Sequence, residues 1–172
     1  MIINGERLKK IKMVVLDVDG VMTDCRIFLD SDGEWKRFFS IRDGAGIKRI
    51  MKQGYKVAVI TGSKTKDIQT RMKNLGIHYF YEGAEDKEPP FLDLQKKSGI
   101  QPDEMAYMGD DYFDVPLLKQ VGFAATVPEA MDEVKDVVQY ITRRPGGNGA
   151  VRELCDLVFQ YGAFSGKDYP NE

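Results

Sequence analysis

Four short stretches of this 172-residue chain carry groups that could do chemistry together: Asp17-Val18-Asp19-Gly20, Thr61-Gly62, Lys87 and Gly109-Asp110-Asp111. Two carboxylates two residues apart, Asp17 and Asp19, are costly to keep together unless a cation or a proton neutralises them. Three of the stretches end an apolar run, and Lys87 sits in the polar loop beyond a fourth. If those runs are neighbouring parallel strands, their carboxyl ends bring every group to one edge of the sheet, where ligands bind in such folds. The set then suits phosphoryl transfer to a carboxylate. Asp17 is the expected nucleophile, and Asp17, Asp19 and Asp110 the expected ligand set for Mg²⁺, a hard cation that prefers oxygen. Metal and Lys87 would offset the charge that keeps an anionic nucleophile from an anionic phosphate. Thr61 would donate to a phosphoryl oxygen. The Asp19 carboxyl could protonate the leaving alkoxide and then take a proton from the water that cleaves the aspartyl-phosphate.

Each piece alone has a plainer reading. Thr61-Gly62 alone is an ordinary strand-to-helix turn, Lys87 a solvated loop lysine, and Asp110-Asp111 a helix cap. Their occurrence in this order, each beyond an apolar run, is what carries the chemical reading.

The elements that must position these groups follow from periodicity. The apolar run from Val14 up to Asp17, Lys56–Ile60, Ile77–Tyr81, Met105–Met108 and Phe123–Val127 read as buried strands, with a short strand at Tyr140–Thr142. Between them lie helical stripes: Ile47, Ile50 and Met51 up to Gly54; Ile68, Met72 and Leu75 up to Gly76; Phe91 and Leu94 from a Pro89-Pro90 start to Gly99; and Ala150–Tyr161. Asp114 reads as the N-cap of another helix, with Pro116 in its first turn. This alternation predicts one doubly wound α/β domain over residues 1–172, with a parallel sheet. One feature is added to it. Asp32-Gly33, between Arg26–Leu29 and Glu34–Ile41, signals a β-hairpin over about 26–41. Trp35, Phe39 and Ile41 fall on one side of its second arm. The hairpin carries more aromatic surface than two strands can bury alone. Arg143–Gly149 reads as a flexible connector, and residues 162–172 as a frayed polar tail.

Lys+Arg 25 against Asp+Glu 27 is near balance and gives no support to a nucleic-acid surface. No apolar run approaches a membrane span, and Met1–Lys12 lacks an apolar signal core, so a cytoplasmic protein is expected. Cys25 and Cys155 have no metal or redox spacing and are expected to be reduced and packed. His78, the one histidine, argues against catalysis by a histidine pair and is expected at a strand start.

Asp17-Val18-Asp19-Gly20-Val21, Thr61-Gly62, Lys87 and Gly109-Asp110-Asp111 with Asp114 resemble the four motifs of the haloacid dehalogenase-like (HAD) phosphatase superfamily. The gaps between motifs leave room for a hairpin and helices but for no cap domain. The resemblance therefore implies a HAD-like Rossmannoid sheet with a hairpin insertion after strand 1. Asp111 and Asp114 would be supporting acids. Capless members with a hairpin here resemble the 3-deoxy-D-manno-octulosonate 8-phosphate (KDO 8-phosphate) phosphatase family. That likeness takes in Arg42-Asp43-Gly44, Val115-Pro116 and Gly146-Gly147-Asn148-Gly149-Ala150-Val151-Arg152-Glu153. It implies a homotetramer joined through the hairpins, each site covered in part by a neighbour, and a glycine-rich tail closing over a sugar-acid phosphate. On this basis Arg42, Gly62, Ser63, Arg71 and Gly147 are the expected substrate contacts. The family commonly has Arg after Thr-Gly, and phosphatases of nine-carbon keto-deoxy sugar phosphates have Glu there, whereas this chain has Ser63. The runner-up readings are a phosphatase of such a nine-carbon sugar acid and a non-catalytic oligomerising HAD-like module.

Overall fold

Met13-Val14-Val15-Leu16 is buried along its whole length, as a strand is only with a neighbour on each side and cover on both faces. The computed structural model of the protein describes residues 5–77 and 79–165; His78 and the tail from residue 166 lie outside the described residues. In chain order the elements are α1 (Gly5–Leu8), β1 (Met13–Leu16), β2 (Phe28–Leu29), β3 (Trp35–Lys36), α2 (Ile41–Lys52), β4 (Lys56–Ile60), α3 (Lys66–Leu75), β5 (Tyr79–Tyr81), α4 (Glu88–Ser98), β6 (Met105–Met108), α5 (Val115–Leu118), β7 (Phe123–Thr126), α6 (Asp132–Lys135), β8 (Tyr140–Ile141) and α7 (Ala150–Tyr161). Short 3-10 turns at Pro102–Glu104 and Tyr112–Asp114 precede β6 and α5.

The sheet has six strands in the order β5-β4-β1-β6-β7-β8, and every adjacent pair is parallel. The chain winds outward from β1 to β5, then returns to β6 on the other side of β1. That reversal is where doubly wound folds bind ligands. Register sharpens the placement: Leu16 faces Val59 on one side and Met108 on the other. Asp17, the turn at Thr61 and the turn at Gly109 therefore emerge level with one another.

Two helices of the covering layer are tied together by a carboxylate. Ser40 caps α2, accepting from Asp43 N (3.3 Å). The Asp43 side chain is 1% exposed and accepts from Gly149 N (3.2 Å) and Arg152 N (2.7 Å), so it satisfies the first turn of α7. Gly149 follows a segment that presses on the loop after β1. Gly147 N donates to Val21 O (3.0 Å), and a Cβ on Gly146 would lie 1.8 Å from Gly20 O. Arg143–Gly149 is thus a held strap and not a flexible connector; the backbone N–H groups of Arg143 and Arg144 also donate to Glu153.

Three further expectations are corrected. The second hairpin arm is paired only over Trp35–Lys36, and Ile41 begins α2, because Ser40 supplies a cap. Phe39 accordingly packs on the core while Trp35 and Ile41 stay exposed. The tail is not frayed at its start: Ala163 N donates to Ile11 O, Phe164 N donates to Tyr55 Oη, and the Phe164 ring meets Tyr55 at 4.9 Å. Cys155 is buried as expected, but Cys25 is exposed, with φ of 62° in the turn after Asp24. Among the described residues no helix is long and apolar enough to cross a membrane.

The strap gives a stability test. Gly146→Ala should lower the stability by about 1–3 kcal/mol through overpacking against Gly20, read as an earlier chemical-denaturation midpoint. An unchanged midpoint would show that the strap does not bear on the β1 loop.

Candidate active site

Asp17 follows β1 directly, so the strand's hydrogen bonds fix it, and Asp17 N donates to Met108 O (3.0 Å). The double proline that opens α4 sets the chain leaving β5 so that Lys87 immediately precedes the helix. Lys87 then reaches back over the sheet edge. Its Nζ donates to Asp17 Oδ1 (2.7 Å) and Asp114 Oδ1 (2.5 Å), and all three side chains are at most 8% exposed. Lys87 is no solvated loop lysine. Burial works to lower its pKa, but the two carboxylates outweigh that and raise it, so the ammonium holds its charge.

Asp114 is the hub of the network. It stands at the N-cap position of α5, as its spacing predicts, yet its carboxylate makes no cap bond to that helix. It accepts instead from Lys87, from Tyr107 Oη (2.6 Å), and from the backbone N–H groups of Asp110 (3.0 Å) and Asp111 (3.2 Å). These bonds fix the turn that carries Asp110. Asp111 caps the turn at Tyr112, accepting from Tyr112 N (2.6 Å). Tyr107 was not singled out by the sequence reading, although a tyrosine inside a buried strand needs a partner for its hydroxyl.

Asp17, Asp110 and Asp114 each offer a carboxylate oxygen within 4.8 Å of the others. Asp110 Oδ1 is buried with no hydrogen-bond partner. Burial, then the Asp17 and Asp114 charges, pushes the Asp110 carboxyl up to about 8. Burial also pushes Asp17 up to about 7 against the pull of Lys87, with Asp114 adding to the rise. Acids so displaced lack a positive charge, and an unpartnered oxygen beside them marks where it belongs. A hard divalent cation such as Mg²⁺ fits this donor set, held by Asp17 and Asp110, while Asp114 is already committed to Lys87 and the turn. Gly20 makes the approach possible: its φ is +88°, and a Cβ there would sit 1.9 Å from Asp110 Oδ2.

Asp19 does not join the metal cluster. Its carboxylate turns the other way and is gripped by Arg37, whose Nε donates to Oδ1 (2.6 Å) and Nη2 to Oδ2 (3.0 Å). The expected metal set is corrected accordingly for the Asp19 side chain. Ser63 Oγ donates to Asp19 Oδ2 (2.7 Å) and Thr23 Oγ1 to Oδ1 (3.3 Å). Burial alone would raise the Asp19 pKa, but Arg37 and Ser63 overcome it and hold the carboxyl below its usual range. Arg37 is the main functional residue missed by sequence. It stands two residues from Trp35 on the hairpin arm, where a charge reads as solvated, and no local signal shows that Asp19 lies within reach.

A cavity of about 440 Å³ opens over these groups, lined by Asp17, Asp19, Thr61, Gly62, Ser63, Lys87, Asp110, Asp111 and Asp114, with Phe113 and Cys25 at its wall. Thr61 is buried; its Oγ1 accepts from Ser63 N (3.2 Å) while Ala84 N donates to Thr61 O. Three expected substrate contacts are not brought here. Arg42 lines a separate groove beside Arg144 and Arg152, because it sits on the outer face of α2. Arg71 points toward the hairpin base, donating to Ser40 O (2.8 Å) under the Phe39 ring. Gly147 is spent on the strap against Val21. Partial burial pushes the Cys25 thiol up to about 11, with the Asp110, Asp19 and Asp17 carboxylates adding to the rise.

The raised acids predict a pH-dependent response to metal. Folded-state pKa values of about 7 and 8 lie above the ordinary carboxyl value of 3.8. Without a metal they contribute stability below pH ~4 that is lost as pH rises through about 7 to 8. Added Mg²⁺ should therefore raise the melting temperature more at pH 8 than at pH 5.5. An equal or reversed response would count against this charge balance.

Comparison with known proteins identifies the family. The family model for haloacid dehalogenase-like hydrolases matches residues 40–122. The 3-deoxy-D-manno-octulosonate 8-phosphate phosphatase KdsC of Escherichia coli K12 is 40% identical over 152 residues, covering 88% of this chain and 81% of the relative. The crystal structure of the Yersinia pestis KDO 8-phosphate phosphatase superposes with a TM-score of 0.90 at 37% identity, covering 96% of this chain and 90% of that one. The Moraxella catarrhalis phosphatase, solved with magnesium, phosphate and KDO, gives a TM-score of 0.88 at 36% identity over 92% of this chain and 91% of that one. The chain belongs to the haloacid dehalogenase-like hydrolases, and within them to the family of the KDO 8-phosphate phosphatases.

Proposed function

We propose that this chain hydrolyses KDO 8-phosphate to KDO and phosphate, a step toward lipopolysaccharide, through an aspartyl-phosphate on Asp17. The observation that carries the reading is the buried Lys87 bridging Asp17 and Asp114 while Asp110 beside them keeps an unpartnered oxygen. A relative 36% identical was solved with Mg²⁺, phosphate and KDO together. Mg²⁺ bound by Asp17 and Asp110 supplies the charge that lets a carboxylate meet a phosphate dianion. Lys87 pulls against the effect of burial on Asp17 and aims its carboxylate. Asp17 attacks phosphorus as the ester bond breaks, and the leaving oxygen takes a proton from Asp19. Thr61 and the Gly62 turn receive the phosphoryl oxygens. Water then attacks phosphorus, gives its proton to Asp19, and frees Asp17.

Ser63 favours keeping the nine-carbon sugar-acid phosphate as the second substrate, since its hydroxyl is engaged by Asp19 and Arg37 and presents no charge of its own. A silent scaffold is disfavoured because Asp17, Asp19, Lys87 and Asp110 are all present. Assembly as a homotetramer through the hairpins, in the cytoplasm, belongs to the same proposal. Its support is the set of exposed large apolar residues on the hairpin and at its exit, Ile27, Phe28, Leu29, Trp35, Phe38 and Ile41, surface of the kind that marks an interface. In a tetramer Arg71 of a neighbour, which spends one N–H on Ser40 O, would have others to offer a sugar acid's carboxylate, a role its fork geometry suits.

Phosphate release from a panel of sugar-acid phosphates, with and without EDTA, tests the reaction. KDO 8-phosphate should lead the panel, and chelation should stop turnover. Asp17→Asn should abolish release with the circular dichroism spectrum intact; sustained turnover by that variant would sink the nucleophile assignment. Light scattering should give four times the chain mass, and Trp35→Lys with Phe38→Lys should shift it to smaller species. A monomeric wild-type chain at micromolar concentration would refute the hairpin assembly.

A further inference from the structure

Two of the stretches that carry the family resemblance, Arg42-Asp43-Gly44 and the run from Gly146 to Glu153, line no part of the active-site cavity. The fold joins them to each other instead. The buried Asp43 carboxylate accepts from Gly149 N and Arg152 N, which as first-turn groups of α7 have no partner within their own helix. The two helices meet closely beside this joint, where a Cβ on Gly46 would lie 3.2 Å from Arg152 Cα. The strap that enters the joint has little freedom of place. Gly147 takes a φ of +66°, and a Cβ on it would fall 2.6 Å from Asp24 N.

The strap in turn bears on a compact turn. Val21 N, Met22 N and Thr23 N all donate to Val18 O (3.3, 2.9 and 3.1 Å), so the residues after β1 are tied into one piece. Gly20 stands in that piece between two neighbours. Gly146 lies against its carbonyl, and the Asp110 carboxylate lies against its Cα, on the side where a Cβ would meet Oδ2. The Asp110 main chain is held at both ends, its N–H donating to Asp114 Oδ2 and its carbonyl accepting from Met131 N (both 3.0 Å). The side chain is held less firmly: Oδ1 has no hydrogen-bond partner, and Oδ2 rests against the Gly20 backbone. A second cavity, of about 400 Å³, adjoins this contact and is lined by Asp110, Gly20 and Gly146. A carboxylate without its Gly20 wall therefore has space to turn into.

We propose that Asp43 is a positioning residue for the metal site: acting through the strap and Gly20, it sets the direction of the Asp110 carboxylate and hence the affinity for a divalent cation. Asp43 itself touches neither the cation nor the substrate. The inference rests on Asp17 and Asp110 as the metal ligands and is independent of which phosphate ester is cleaved. Loss of the Asp43 acceptors frees the start of α7 and the strap with it, and a larger residue at 146 displaces Gly20 from its place beside Asp110. Both changes act on the same carboxylate from outside the cavity.

Mn²⁺ suits the same oxygen ligands as Mg²⁺, and its electron paramagnetic resonance signal counts the free ion. Titration of the metal-free full chain gives a number of sites and a Kd; a misfolded fraction lowers the first and leaves the second unchanged. Asp43→Asn keeps the side chain's shape but replaces one acceptor oxygen with an NH₂ donor. It and Gly146→Ala should each raise the Mn²⁺ Kd about fivefold or more, below the ~10–100-fold cost of losing a ligand's direct hydrogen-bond partner. Val57→Ala opens the core at the far end of β4, where Val57 pairs with Val14, and should lower stability while binding Mn²⁺ as tightly as the wild type. An unchanged Kd in Asp43→Asn or in Gly146→Ala, or an equal rise in Val57→Ala, would overturn the inference. A wild-type chain that binds no Mn²⁺ would instead overturn the metal assignment on which it rests.

Discussion

The ion pair of Lys87 with Asp17 and Asp114 is the contact around which the site is arranged. Three charges at most 8% exposed are kept out of water at one sheet edge. Such a triad is tolerated only where geometry is good and remaining lone pairs are satisfied. Asp114 meets that requirement fully, with a tyrosine hydroxyl and two backbone N–H groups besides the ammonium. Asp110 does not meet it, and its raised pKa records the shortfall. One lysine stabilises the interior of the network and leaves its outer acid in need of a cation. Structural cost and chemical capacity are therefore the same fact at this edge.

The sheet makes this economical in chain length. Parallel neighbours with level ends deliver Asp17, Thr61 and the Asp110 turn without a dedicated binding domain. The loop after β5 needs only a helix start to aim Lys87. What the sheet does not deliver is the far side of the cavity. That side is built from Asp19 and Ser63, steadied by a hairpin that belongs to neither layer. Except for Phe39, the hairpin's large apolar residues look outward while Arg37 looks inward, so the same ribbon carries two unlike surfaces.

The sequence was most readable where one physical signal decided the outcome. Lys56–Ile60 and Met105–Met108 are strands with those bounds because each is a short branched or apolar run between polar turns. Ala150–Tyr161 is a helix with its predicted bounds because an apolar stripe runs between two glycines. Glycine also fixed the ends of α3 and α4, where Gly76 and Gly99 adopt left-handed conformations. Long-range partnerships were less readable. Arg37, Arg42 and Arg71 are equally basic in sequence, yet one is buried in the site, one sits on an outer helix face and one braces a carbonyl at the hairpin base. Nothing within a few residues of each distinguishes them; the tertiary approach of the hairpin to α3 does. Asp114 shows a subtler limit. Its place before Pro116 predicts a cap, and the backbone does turn into a helix there, but a buried lysine competes for the carboxylate more strongly than the helix's own N–H groups.

The strap formed by Gly146 and Gly147 has a consequence for the order in which the molecule can be made. The groups of the acid cluster lie between residues 17 and 114, so most of the site is written in the first two-thirds of the chain. The turn that follows Asp19, however, is braced by Gly147 on Val21 and by Gly146 against Gly20, and the strap is itself held through Asp43 to the start of α7. A chain emerging from its N-terminus completes the sheet first and receives this brace last. The loop bearing Asp19 therefore lacks this brace across more than a hundred residues of synthesis. Contacts between residues so far apart in sequence cost loop-closure entropy before they form. Bracing of the Asp19 loop is in this sense a terminal event, set by the arrival of two glycines and not by the acids they serve.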